Sequence, residues 1–186
     1  MVCKNCGLAV GAPEDSAEGW RIWKWCIDIQ HTSYSIQKWI SARLLFLIEN
    51  QGVRKFHIHP PTPPSSTSPI SSLLIWVFTP DLFVSSSTPS ESGLQVPTRS
   101  MKLFYKHESW APPQPGEVEK ADVEEVVFPR GLFEELRRVL RVSQAILPFG
   151  ARKFQGWEVG LLERFDVGDV KVKGVVGGDL VEGGVD

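Results

Sequence analysis

The chain has 186 residues, 42% hydrophobic and 23% charged, the proportions of a soluble globular protein long enough to bury one core. Its formal charge is −2, so no global basic field argues for direct nucleic-acid binding. The longest apolar run, Leu73–Phe78, is far shorter than the roughly 20 residues a membrane-spanning helix needs, so no membrane partner is expected.

In chain order, Met1-Val-Cys-Lys-Asn-Cys6 lacks the basic start and apolar stretch of a secretion signal. Three cysteines, two of them in a C-x-x-C, suit a reducing compartment better than a disulfide framework, which places the chain in cytoplasm or nucleus. Cys3-Lys-Asn-Cys6-Gly7 is the knuckle form that turns two thiolates toward one zinc ion, with the glycine permitting the tight turn. A structural zinc site needs four ligands and no second C-x-x-C follows, so Cys3 and Cys6 are expected to form an incomplete metal site. A thioredoxin-like reading lacks the βαβ context that chemistry uses.

Trp20–Ile29 is aromatic and β-branched on both alternating faces and reads as a central strand. Cys26 lies within it. As a nucleophile it would need an activating base or positive field, for which Lys24 is the one neighbour; the competing reading is a small core residue. Ile36, Ile40, Leu44, Leu47 and Ile48 recur at helical spacing, and Asn50-Gln-Gly52 ends that helix. Arg54–His59 alternates as a short strand. His57 and His59 share one of its faces and are the candidate completing ligands of the knuckle, set against a reading as hydrogen-bonded or solvent-facing histidines.

Residues 60–72 are almost all Pro, Ser and Thr and read as a disordered insertion. Leu73–Phe78 is a buried strand ended by Thr79-Pro80, and a second Ser/Pro-rich insertion spans 85–98 before the strand Met101–Tyr105. Val123–Phe128 leads into a helix opened by Pro129, with Leu132, Phe133, Leu136, Val139 and Leu140 on its apolar face. Arg137, Arg138, Arg141, Arg152 and Lys153 read as a solvated basic surface. Ala151–Phe165 alternates as a strand, and 166–186 reads as a flexible tail. The expectation is a single α+β domain over 1–165: a mainly antiparallel, tryptophan-rich sheet with two main helices near 36–50 and 130–142.

No phosphate loop, G-x-S-x-G or H-E-x-x-H is present. Several strings together resemble the HECT-like ubiquitin-conjugating-enzyme-binding family, particularly its fungal members. They are Val2-Cys-Lys-Asn-Cys-Gly7, Trp20-Arg-Ile-Trp-Lys-Trp25, Gln37-Lys-Trp-Ile-Ser-Ala42, Gln51-Gly-Val-Arg-Lys-Phe56, Leu74-Ile-Trp-Val-Phe-Thr-Pro-Asp81, Met101-Lys-Leu-Phe-Tyr105, and Leu147-Pro148 followed by Ala151–Arg164. The resemblance covers the C-terminal half of longer family proteins, so a truncated form is expected.

It implies a ubiquitin-protein ligase or adapter that binds a conjugating enzyme and promotes substrate ubiquitination. The alternative it raises is a non-catalytic interaction protein of the mRNA cleavage and polyadenylation machinery, with a 3′-end processing factor as partner. A HECT-type thioester needs a cysteine near the C-terminus, and none follows Cys26. A scaffold mechanism is therefore expected, with no catalytic residue beyond the candidate Cys26 and zinc as the one candidate cofactor.

Overall fold

A computed structural model describes residues 1–5, 7, 9–14, 18–27, 34–62, 68–85, 97–111 and 122–169. Two short strands come first, β1 (Gly11–Glu14) and β2 (Gly19–Ile22), paired antiparallel as a two-stranded sheet. A 3-10 turn, Lys24–Cys26, follows. The rest is helix α1 (Ile36–Gln51), strands β3 (Lys55–His59), β4 (Ile70–Val84), β5 (Thr98–Trp110) and β6 (Val123–Val127), helix α2 (Arg130–Ser143), and strands β7 (Lys153–Phe154) and β8 (Trp157–Glu163).

The larger sheet has six strands in the order β6-β3-β4-β5-β8-β7, antiparallel throughout except for the β3–β6 pair. The architecture is thus α+β, mostly antiparallel, with two α-helices. Both helices cover one face of this sheet. Ile40, Leu44 and Leu47 of α1 and Leu132, Phe133, Leu136, Val139 and Leu140 of α2 share one core with Phe56, Ile58, Leu73, Ile75, Val77, Met101, Leu103 and Tyr105. α1 ends as its sequence demands: Gly52 takes the left-handed conformation (φ 73°) and its N–H closes on Ile48 O at 2.9 Å.

Four expectations need correction. Trp20–Ile29 is not a central strand: β2 stops at Ile22, Trp20 is 57% exposed, and Cys26 N–H turns back to Trp23 O at 2.9 Å. Its aromatic residues pack locally, with Trp23 stacked on Trp25 at 5.5 Å, instead of filling a sheet interior. The polar stretch 60–72 is structured at its end, because Ile70, Ser71 and Ser72 begin β4 and Ser72 is fully buried, donating to Glu108 O. Thr79-Pro80 does not end that strand either. The ladder with β5 shifts register twice between Val77 and Leu82, and these irregularities let a residue without an N–H stand inside it. Thr98 likewise already belongs to β5, while most of the second insertion (86–96) lies outside the described residues.

Chain order also continues past Phe165. Val167–Asp169 forms a 3-10 turn, and Asp169 receives two hydrogen bonds from Lys38 Nζ, at 2.7 and 2.8 Å. Residues 170–186 lie outside the described residues.

Candidate functional site

Side-chain alternation along the six-stranded sheet sends every second residue away from the helices. On β4 these are Leu74, Trp76 and Phe78, on β5 Lys102, Phe104 and Lys106, and on β8 Val159 and Leu161, which pair across with Phe104 and Lys102. The aromatic rings meet edge to face or stacked: Trp76 with Phe104 at 5.5 Å, Trp76 with Trp157 at 6.2 Å, Phe78 with Phe104 at 4.8 Å, and Phe104 with Phe154 at 5.3 Å. Phe104, Val159 and Leu161 are buried beneath this layer, whereas Phe78 and Phe154 are each 47% exposed. Lys106 Nζ lies 4.5 Å above the Trp157 ring and Lys102 Nζ 5.8 Å from that of Phe78. The result is an apolar, aromatic plate carrying two cations, and no described helix covers it. The run Leu73–Phe78 gave its one sequence signal: it is apolar at both parities, which fits burial on both faces, yet only one face has helices.

His57 and His59 project from the same face of the sheet. His57 Nε2 lies 2.9 Å from Ser72 Oγ. His59 is 1% exposed and stacked on Trp110 at 3.8 Å; its Nδ1–H donates to Pro60 O (2.9 Å) and its Nε2 lies 3.0 Å from Glu125 Oε1. Those partners tie β3 to β4, β5 and β6. The two histidines are thereby engaged within the large sheet, on the side away from α1.

The cysteines are elsewhere. Cys3 begins a turn closed by Gly7 N–H to Cys3 O (2.9 Å), with Gly7 at φ 69°, and Val2 bridges antiparallel to Ala9. Cys6 lies outside the described residues. Cys26, on the exposed 3-10 turn, places its Sγ 4.0 Å from Ala9 O, beside the rung next to Cys3, and Trp23 N–H donates to Val10 O at 3.0 Å. Trp25, from the same turn, packs against the main core. Cys26 is therefore neither a core residue of a central strand nor beside a described histidine. Sequence spacing alone does not bring it to the knuckle; the β1–β2 hairpin does.

The strings that carried the resemblance converge at another place. Asp81 accepts Arg99 through Nε (2.8 Å) and Nη2 (2.6 Å), and Arg164 donates to Pro80 O at 2.6 Å and pairs with Asp81 at 3.0 Å. The Arg99 hydrogen bond, opposed by burial and supported by the charges of Arg164 and Arg99, holds the Asp81 carboxyl below its ordinary value. Glu163 N–H donates to Gln37 Oε1, and Ser41 Oγ lies 2.8 Å from Glu163 O, while Trp39, Phe165 and Tyr34 pack edge to face. The end of β8 is thus fastened both to the β4 irregularity and to the first turns of α1.

Residues 1–159 match the family described as HECT-like ubiquitin-conjugating enzyme (E2)-binding. The chain belongs to that family. It is also 28% identical over 172 residues to an uncharacterized protein of Schizosaccharomyces pombe, an alignment covering 88% of this chain and 47% of the yeast protein. The chain thus spans about half the length of that curated relative. No solved structure matches it. Among the described surfaces, the aromatic plate has the chemistry of a protein contact.

Proposed function

We propose that the chain docks a ubiquitin-conjugating enzyme on the aromatic plate and acts as a ligase or adapter by a scaffold mechanism. The observation that carries this is the uncovered plate of Trp76, Phe78, Phe154 and Trp157, packed over the buried Phe104, in a chain whose family binds such enzymes. A desolvated aromatic centre with cations at its border matches the chemistry of interface hot spots. The conjugating enzyme's own cysteine keeps the ubiquitin thioester. In support, the described cysteines, Cys3 and Cys26, both belong to the hairpin lobe and not to the plate.

The test is discharge of ubiquitin from a panel of loaded conjugating enzymes, with and without the protein. Faster discharge is expected, without any reductant-sensitive ubiquitin adduct on this chain. Phe78→Ala and Phe154→Ala remove half-exposed rings, so each should weaken binding about tenfold while leaving the melting temperature near wild type. Equal affinity in both variants would remove the plate as the docking site. A thioester on this chain would replace the scaffold with a relay. Binding without accelerated discharge would favour an interaction protein lacking ligase activity, such as one serving mRNA 3′-end processing.

A further inference from the structure

The connection between α2 and β7 turns its apolar side chains outward. Val142 and Ile146 are exposed, and Phe149 is 89% exposed, more than any other large hydrophobic among the described residues. A ring left so far in water contributes little buried area, so folding gives no reason for it. Nor is the 3-10 turn that carries it, Phe149–Ala151, slack. Pro148 enters at φ −53°, Leu147 N–H donates to Gln144 O (3.1 Å), Ala151 N–H to Pro148 O (2.8 Å) and Arg152 N–H to Phe149 O (3.3 Å). The Arg152 guanidinium reaches back through Nε to Leu147 O at 3.0 Å, and its carbonyl accepts Val159 N–H of β8 at 2.9 Å. Phe149 is thus held out from a turn fastened to the sheet edge. A Cβ on the adjacent Gly150 would meet nothing within 4 Å, so the space beside the ring is open. A ring fixed in advance loses little freedom when a partner closes over it.

Distance and charge say what that partner is. Phe149 precedes Phe154 of the plate by five residues, which span at most about 18 Å. A standard interface covers about 800 Å² on each partner, a patch roughly 28 Å across. A protein seated on the plate therefore reaches the turn. Between residues 136 and 157 the sequence holds Arg137, Arg138, Arg141, Arg152 and Lys153 and no carboxylate. Arg137 and Arg138 are paired with Glu134 and Glu135, which leaves the exposed Lys153 beside the turn with the same sign as Lys102 and Lys106 on the plate.

We propose that the Phe149 turn is a second contact element for the conjugating enzyme, and this rests on the reading that the enzyme docks on the plate. Phe149 enters an apolar recess of that enzyme, and carboxylates around the recess face Lys153 and the plate lysines. The plate supplies a flat apolar area, and the turn supplies a projecting anchor that fixes how the enzyme is oriented on it.

The experiment measures affinity for the conjugating enzyme of the discharge panel that the intact chain binds most tightly. Phe149→Ala should weaken binding about tenfold with an unchanged melting temperature, and Phe149→Leu should retain most of the affinity. Lys153→Glu should weaken binding, and rising salt should slow association of the wild-type chain. Wild-type affinity in Phe149→Ala, with weakened binding in Phe78→Ala or Phe154→Ala, would overturn the turn contact and leave the plate standing. Weakened binding in Phe149→Ala alone would keep the turn as the contact and remove the plate. A chain that binds no enzyme of the panel would overturn both. Equal or tighter binding by Lys153→Glu would overturn the carboxylate-bordered recess. Sedimentation that finds the wild-type chain self-associated and Phe149→Ala monomeric would assign the ring to a second copy of the chain and overturn the proposal.

Discussion

Two residues govern how closely α2 approaches the sheet. Gly160 faces it from β8: a Cβ there would lie 2.8 Å from Leu140 Cδ2 and 3.3 Å from both Leu140 O and Tyr105 Cε1. Leu140 is fully buried, so its methyl has nowhere to retreat. Gly160→Ala is expected to destabilise by about 1–3 kcal/mol, read from the midpoint of urea unfolding. Ser143 does the complementary polar task. β7 is only two residues long, so the Leu161 N–H of β8 points past its end, and Ser143 Oγ accepts it at 2.9 Å while donating to Leu140 O at 2.9 Å. Ser143→Ala leaves a buried N–H without that acceptor and should cost about 1–3 kcal/mol by the same measurement. Hydrogen exchange at Leu161 would report it directly, and unchanged protection there would count against this role. Neither residue is legible in the sequence. A glycine in an alternating strand and a serine closing an amphipathic helix look permissive until the partner element is known.

At the scale of elements, the helices and the apolar strands were legible because periodicity reports burial directly: α1 and α2 occupy 36–51 and 130–143 with the expected faces inward. The misreadings share a cause. Aromatic content was equated with sheet interior at Trp20–Ile29, and polar content with disorder at Ser71-Ser72, yet a local turn and a buried hydroxyl with its own acceptor satisfy those residues. The turn at Val167–Asp169 was invisible for a similar reason: it is held by the Lys38 ion pair and by the Tyr34 hydroxyl, which donates to Asp169 O at 2.6 Å, and not by apolar bulk.

Burial works against the charge of Asp169, but the Lys38 hydrogen bond, the Asp166 N–H and the Lys38 charge outweigh it and hold the carboxyl below its ordinary value. For Lys38, burial lowers and the hydrogen bond to Asp169 with the charge of Glu163 raises, with a net rise. The carboxylate's contribution is therefore fully present above the unfolded value of about 3.9 and lost as pH falls through its lower folded value. The ammonium's contribution is present below about 10.4 and lost as pH rises through its higher folded value. Segment 165–169 should stay docked between these limits and loosen beyond them. Asp169→Asn should loosen it at neutral pH, at a cost of about 1 kcal/mol. The NMR signal of the Trp39 indole, which Phe165 contacts, follows the change, and a signal insensitive to both acid and Asp169→Asn would refute it.

For the whole molecule, the division of labour is between two faces of one sheet. The helix face supplies the core; the other supplies the plate. If the plate were only a surplus of core, replacing its outer rings would lower stability in proportion to the area lost. The expectation is instead that Phe78→Ala combined with Phe154→Ala shifts the melting temperature little and affinity for the conjugating enzyme much.

The β3–β6 pair adds a consequence in time. Antiparallel β4 and β5 are successive in the chain, but the parallel β3–β6 ladder pairs His57 with Glu125, and the His59 side chain meets that of Glu125 across 66 residues of chain. Closing so large a loop forfeits chain entropy before any contact compensates, so this edge should assemble after the β4–β5 pair and α2 have met. In kinetic terms, truncating Val126 should accelerate unfolding while leaving the refolding rate nearly unchanged, whereas truncating Leu103 or Leu136 should slow refolding. The sheet then opens from its β6 side first, which makes the edge beside His59 and Trp110 the place where the folded chain is first exposed to a protease or a chaperone.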